Sequence, residues 1–116
     1  MNIRPEKIRD IDVITDLTVA AFKNVSVSRQ TEHYIIHALR KAGAITLSLV
    51  AEIDERIVGH IAFSPVTIAD GATGWYGLGP VSVWPELQKQ GIGSALINAG
   101  LDELKSRGAG GCALVG

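Results

Sequence analysis

The sequence predicts an α/β domain built on a mixed sheet, with elements in the order β-α-α-β-β-β-α-β. Three observations predict it. Two stretches with apolar residues at helical spacing precede any long strand signal. Three β-branched, apolar runs then follow one another, separated by turn residues. Finally the run "PVSVW" passes through the glycine-punctuated stretch "PELQKQGIGSAL" into an amphipathic run and a last short strand, "GCALV". Residues 1–116 read as one domain, with no internal repeat, low-complexity segment or linker.

Each element has a local cause. "NIRP" is a short extended start. Ile11, Ile14, Leu17 and Ala21 recur at helical spacing after Asp10, a good N-cap, so the first helix runs from about Asp10 to Phe22. "NVSVSRQ" is a polar connection. "TEHYIIHALRKAG" reads as a second helix with Thr31 as cap, Ile35 and Leu39 inward and Gly43 as the stop. "AITLSLVAEI" and "RIVGHIAFSPVTIA" are strands joined at "DER", where Asp54 suits a tight hairpin. After the turn cluster "DGATG", the strand "WYGLGPVSVWP" carries Gly77, Gly79 and Pro80; Pro80 has no N–H for a neighbouring strand, so a bulge is expected there. A helix from about Gly91 to Arg107 places Ile92, Leu96, Ile97, Leu101 and Leu104 on one side, and Asn98, Asp102 and Lys105 on the other. A helix between the bulged strand and the last one makes a crossover, so those two run parallel.

Composition narrows the function. The 116 residues are 47% hydrophobic and 20% charged, and 11 basic against 12 acidic side chains give a net charge of −1. With no Lys/Arg run, nucleic acid is not the expected partner. No apolar segment approaches the roughly 20 residues that cross a bilayer, and "MNIRPEKIRD" is too polar for a secretory signal, so a cytoplasmic location and no membrane partner are expected. Cys112 stands alone, which excludes an intrachain disulfide and a cysteine-based zinc site; a buried structural thiol is its default reading, and no metal site is expected.

The stretch Pro85 to Leu96 carries the chemistry. Gly91 and Gly93 remove side chains where the chain bends into a helix, so N–H groups from Gln88 through Lys89, Gln90, Gly91, Ile92 and Gly93 to Ser94 can converge on an anion at the positive end of the helix dipole. Two phosphate motifs fail: a P-loop needs Lys where this chain has Ser94, and the third glycine of a dinucleotide fingerprint is here Leu96. The plain alternative is that the two glycines merely ease a strand-to-helix turn.

The spacing Gln88-x-x-Gly91-x-Gly93, after a bulged strand and opening a helix, resembles the acetyl-CoA-binding signature of the GNAT superfamily, the GCN5-related N-acetyltransferases. "GPVSVWPELQKQGIGSALI" and "GHIAFSPV" are similar to small bacterial acetyltransferases of the YhbS type, over nearly the whole chain from Ile3 to Gly116. The resemblance implies an acyl-CoA N-acyltransferase fold, shortened at its C-terminus, and acetyl-CoA as cosubstrate for acetylation of a primary amine. It implies that pantetheine lies along Val81, Ser82 and Val83, that pyrophosphate sits on the N–H groups of Gln88 to Ser94, and that the Val81 N–H polarises the thioester carbonyl. In the family's histone-acetyltransferase branch a glutamate base lies at a position aligned roughly with Gly77, so the resemblance implies that this base is missing. His60 and Glu32 are the candidate proton carriers; a strand His between apolar neighbours also reads as structural, and Glu32 as a first-turn acid complementing the helix dipole. Glu52 reads as solvent-facing, and Trp75 and Tyr76 as packing or as an acceptor wall. The family's C-terminal tyrosine acid has no counterpart here. A degenerate fold that binds acyl-CoA or a protein without turnover is the alternative function. The unpaired edge of the last strand implies a homodimer.

Overall fold

The computed structural model of the chain describes residues 1–23, 25, 30–66 and 74–114. Most of "NVSVSRQ", residues 67–69 of the third strand, most of "DGATG" and Val115 lie outside the described residues. The strands are β1 (Asn2–Pro5), β2 (Leu47–Ile53), β3 (Arg56–Pro65), β4 (Trp75–Val83) and β5 (Gly111–Leu114), and the helices are α1 (Ile11–Phe22), α2 (Glu32–Lys41) and α3 (Ile92–Ser106). Short 3-10 turns at Ile8–Asp10 and Pro85–Leu87 lead into α1 and the loop before α3. The element order is the expected one.

The sheet order is β1-β2-β3-β4-β5. The first four strands pair antiparallel, each with its chain neighbour in the sheet. β4 and β5 are parallel, from Trp75 opposite Gly111 to Leu78 opposite Leu114, as the intervening helix requires. The β2–β3 hairpin turns on two residues, Asp54 at φ 50° and Glu55 at φ 66°. Two successive left-handed residues match the twist of the flanking strands, which is why so tight a connection closes.

Strand alternation divides the apolar residues between two faces. On one, Leu49, Ile61, Phe63 and Leu78 pack under Ile92, Leu96 and Leu104 of α3. On the other, Val50 and Ile57 meet Ile14 and Leu17 of α1 and Ile36 of α2. Each fully buried side chain of this kind contributes roughly 1.5–3 kcal/mol by leaving water. The inward face of α2 differs from the sequence expectation: Ile36 is 3% exposed, whereas Ile35 is 47% exposed, because one residue shifts a helix face by 100° and Ile35 and Ile36 are both apolar. Leu101, expected inward on α3, is likewise partly open at 37%. Its place is taken by buried Gly100. Asp10 does not cap α1 by a side-chain bond; its carboxylate accepts from the Lys7 N–H at 2.7 Å and from Arg4 at 2.8 Å, so it fixes the turn before the helix.

The bulge forms where Pro80 places it. Ile61 lies opposite Val81 and Phe63 opposite Leu78, so Ala62 faces the extra pair Gly79 and Pro80. The register therefore jumps in mid-strand, and the two halves of β4 have different neighbours on their β5 side.

α3 lies close on the sheet because small residues admit it. A Cβ added at Gly100 would meet Cε2 of Phe63 at 2.2 Å, and Phe63 is fully buried. Gly100→Ala is therefore expected to destabilise the fold by about 1–3 kcal/mol despite the better helix propensity of alanine, as read from the urea midpoint.

Candidate functional site

The groove that the sequence points to forms between the end of β4 and the start of α3. It encloses about 290 Å³ and is lined by Val81, Val83, Leu87, Gln88, Lys89, Gly91, Gly93 and Ser94. Its floor is apolar and its rim is main chain. Helix geometry leaves the N–H groups of Ile92, Gly93 and Ser94 without a partner in the preceding turn, while the Ala95 N–H donates to the Gly91 carbonyl at 3.0 Å. Gly91 sits at φ 86°, a left-handed conformation that favours glycine, and turns the chain into the helix. A Cβ at Gly93 would stand 3.8 Å from Cγ1 of Val81 and 4.0 Å from Cγ2 of Val83, across the groove itself.

The expected binding residues divide by direction. Ser82, Gln90 and Ile92 do not line the groove: Ile92 is 4% exposed in the α3 core, Ser82 is 1% exposed on the opposite face, and Gln90 points to solvent. The Gln88 side chain donates to the Val83 carbonyl at 3.1 Å, tying the loop to the end of β4. The sequence reading missed Lys89 as a backbone feature; it holds φ 65°, a left-handed turn that no glycine or asparagine announces.

The candidate proton carriers are not in the groove. Glu32 stands in the first turn of α2, half-buried and away from the groove lining. His60 is fully buried on the α1 face of β3, directly opposite Ser82 in the strand register. Its Nε2 is 2.7 Å from the Ser48 hydroxyl, which donates to Glu6, and Glu6 in turn accepts from Arg40. Burial drives the His60 ring down from 6.5 to about 4; the Glu6 charge opposes the shift and the Arg40 charge adds to it. For Glu6, burial favours the neutral acid, but hydrogen bonds from Arg40 and Ser48 outweigh it and hold the carboxyl below its usual range. The other residues weighed for the site take structural places. Glu52 is not solvent-facing but accepts from Arg4 at 3.2 Å. Trp75 lays its indole over Gly111, and Tyr76 packs on the α3 core. Cys112 is half-buried rather than buried, and desolvation raises its thiol.

The model of the acetyltransferase (GNAT) family matches residues 11–115. The chain belongs to this family. It is 37% identical over 84 residues to the uncharacterized N-acetyltransferase YhbS of Escherichia coli strain K12, a match covering 72% of this chain and 50% of that protein. Among solved structures, a GNAT family acetyltransferase from Brucella melitensis in complex with acetyl-CoA superposes with a TM-score of 0.94 at 54% identity, over 99% of this chain and 75% of that one. E. coli YhbS in complex with CoA superposes with a TM-score of 0.88 at 33% identity, over 99% of this chain and 62% of that one. The chain thus spans about half the length of the curated relatives it matches. The GNAT acyltransferase fold expected from the sequence is the fold observed.

The buried ring of His60 gives this GNAT domain a pH signature. Its folded value lies below its unfolded one, so the unfolded chain takes a proton first as pH falls; the stability is whole above about 6.5 and is lost toward about 4. The loss is on the order of 3 kcal/mol. Glu6 and Asp10, both lowered, act only further down, from the ordinary carboxylate range. Urea unfolding from pH 7 to 4.5 should show stability falling with pH in wild type and a flatter profile in His60→Gln.

Proposed function

We propose that this chain carries the acetyl-CoA-binding half of an N-acetyltransferase that moves the acetyl group to a primary amine by direct attack on the thioester. The observation that carries the reading is the groove itself: apolar Val81 and Val83 below, unpaired helix N–H groups at one end, and a break in strand register beside it. Those parts fit the molecule group by group. The N–H groups of Ile92, Gly93 and Ser94 suit pyrophosphate oxygens at the positive end of α3. A pantetheine arm carries amides that pair with strand backbone, and Val81 to Val83 border the groove. The Val81 N–H is the proposed donor to the thioester oxygen as charge develops there. The relatives solved with acetyl-CoA and with CoA support the same reading.

The chemistry needs little covalent machinery. The amine nitrogen attacks the carbonyl carbon, the C–N bond forms, the C–S bond breaks, and the nitrogen sheds one proton. With Gly77 standing roughly where the histone-acetyltransferase branch carries its glutamate base, another group is proposed to take the proton, and His60 and Glu32 are the candidate carriers. A binding module without turnover is the second reading, favoured by the fact that neither carrier lies in the groove. The acceptor is an amine of open identity. A cytoplasmic setting agrees with the polar N-terminal segment, and among the described residues no helix is long and apolar enough to cross a membrane.

Assembly is proposed from the edge of the sheet. β5 lies last in the strand order and pairs with β4 alone among the described strands. A second copy in a two-fold dimer would cover its free side; the longer chain of the Brucella relative supplies the competing occupant. Light scattering is expected to show a dimer, and a monomer that stays soluble at high concentration overturns it.

Two experiments test the function. In calorimetry with acetyl-CoA, Gly93→Val should weaken binding about 100-fold or more by filling the groove, whereas Lys89→Ala should cost less than about tenfold, since one exposed charge is screened. The reverse order would make the site electrostatic. Thiol release from acetyl-CoA that depends on added amine supports the enzyme; binding without it supports the module.

A further inference from the structure

The groove rests in part on a stretch that is neither strand nor long helix. Between the end of β4 and the start of α3 run eight residues, Trp84 to Gly91, and Leu87, Gln88 and Lys89 among them line the groove. The bonds that shape this stretch point back to its beginning. The Leu87 N–H donates to the Trp84 carbonyl at 2.8 Å, the Gln88 N–H to the Pro85 carbonyl at 3.4 Å, and the Gln88 side chain to the Val83 carbonyl at 3.1 Å. They give the turn its shape but not its place. Further on, Lys89 holds φ 65° and Gly91 φ 86°. A residue with a side chain is strained in that left-handed region and keeps the conformation only where its surroundings hold it.

Trp84 supplies the place. Its main-chain N–H donates to the Val58 carbonyl at 3.3 Å and its indole N–H to the Ile57 carbonyl at 2.9 Å, so both donors end on consecutive carbonyls of β3. The side chain packs against both apolar cores, yet packing alone does not fix it: Trp84 is half-buried and also lines a cavity of about 430 Å³ with Arg9, Val13 and Glu55. A second tie runs to the same strand. The guanidinium of Arg56, the first residue of β3, stands 5.7 Å from the centre of the Trp84 ring and donates to Glu86 at 3.2 Å. Both side chains of that ion pair are more than half exposed, so water and salt weaken it, and the part-buried indole bond is the stronger hold. Trp84 is absent from the groove lining, so it acts on the groove through the turn.

We propose that Trp84 is a positioning residue for acetyl-CoA: anchored on β3 by its indole N–H, it presets the turn that carries Leu87, Gln88 and Lys89, so that the groove is open before the cofactor arrives. This rests on the reading of the groove as the acetyl-CoA site. A turn that is already ordered loses little freedom on binding. With the anchor removed the turn samples other shapes, and the apparent affinity falls by the fraction of molecules that still hold the open one. The net worth of one hydrogen bond sets that fraction at roughly one-tenth. The bound complex keeps the turn ordered with or without the indole, so the loss falls on association and not on dissociation. The groove is thus registered on β3 as well as on β4, which carries Val81 and Val83.

Binding kinetics, calorimetry and hydrogen exchange test this, with acetyl-CoA itself as the probe. Trp84→Phe keeps an aromatic ring and loses the N–H; it should weaken binding about tenfold, with association about tenfold slower and dissociation unchanged within about twofold. The amides of Leu87 and Gln88 should exchange about tenfold faster than in wild type, and saturating acetyl-CoA should remove the difference. Faster exchange in α3 and β3 with Leu87 and Gln88 unchanged is a loss of overall stability and overturns the role. Benzothienylalanine placed at position 84 keeps the bicyclic ring and puts sulfur where the N–H stood; it should give the same losses, and it carries the test where Trp84→Phe does not fold. Arg56→Gln should change affinity by less than about threefold; a loss larger than that of Trp84→Phe makes the hold electrostatic and overturns the part given to the indole. Folded Trp84 variants that bind as tightly as wild type, or that lose affinity through dissociation alone, overturn the positioning role and leave acetyl-CoA in the groove. A wild type that does not bind acetyl-CoA overturns the reading of the groove, and this role with it.

Discussion

The missing N–H of Pro80 is the constraint on which the rest of this domain turns. A strand that cannot donate at one position cannot keep an unbroken ladder, and the chain answers by setting Gly79 and Pro80 together opposite Ala62. That single extra residue separates β4 into a lower half, paired to β5 at Trp75 to Leu78, and an upper half whose Val81 and Val83 line the groove. Because side chains alternate with period two, the jump also resets which residues face α3. Leu78 and Val83 both reach that core, five positions apart, which a regular strand would send to opposite faces. Groove, core and helix seat thus follow from one interruption.

The two faces of the sheet have been given different physical jobs. The α3 face is apolar and close-packed, with small residues admitting the helix against Phe63. The α1 face interleaves Val50 and Ile57 with Ser48, His60 and Ser82, and carries the Glu6 and Arg40 pair at its margin. Buried polar groups of this kind cost desolvation and return it only where each is bonded. Here the accounts do not balance: His60 Nδ1 and two nitrogens of Arg40 stay unpaired among the described residues. Apolar groups of equal volume are often as stable in such places, so these polar groups are a cost that the fold carries beside the bulged strand.

Much of this was legible in the sequence, for reasons that can be named. Element order and the directions of the later strands followed from turn residues and from the helix between the last two strands. The bulge followed from Pro80, and the loop from Gly91, whose left-handed φ of 86° is a requirement that residue type reveals. What was not legible required side-chain direction or long-range partners. Ile35 and Ile36 are equally apolar, and only the seat of α2 against Ile14 and Leu17 selects Ile36. Asp10 has the right type for a cap, but Arg4 on β1 claims its carboxylate. His60 looked like a strand histidine of either kind; its partners Ser48 and Glu6 lie 12 and 54 positions from it, and no periodicity links them. Lys89 adopts a left-handed turn with no residue signal at all.

A groove bordered by main-chain N–H groups is legible in sequence where side-chain chemistry is not. Anion contacts through N–H groups ask only that side chains be absent, so the signature is glycine at a spacing. Proton transfer asks for a specific side chain at a specific distance, which chain folding supplies from anywhere. In this domain the groove draws on one continuous stretch, Val81 to Ser94, whereas the polar chain behind it gathers Glu6, Arg40, Ser48 and His60 from four elements and connections. The groove therefore rests on local sequence, while the polar chain depends on the sheet holding its register across β1, β2 and β3. Disturbance at the β1 edge, where Arg4 ties Asp10 to Glu52, should for that reason reach Glu6 two residues on without passing through the groove.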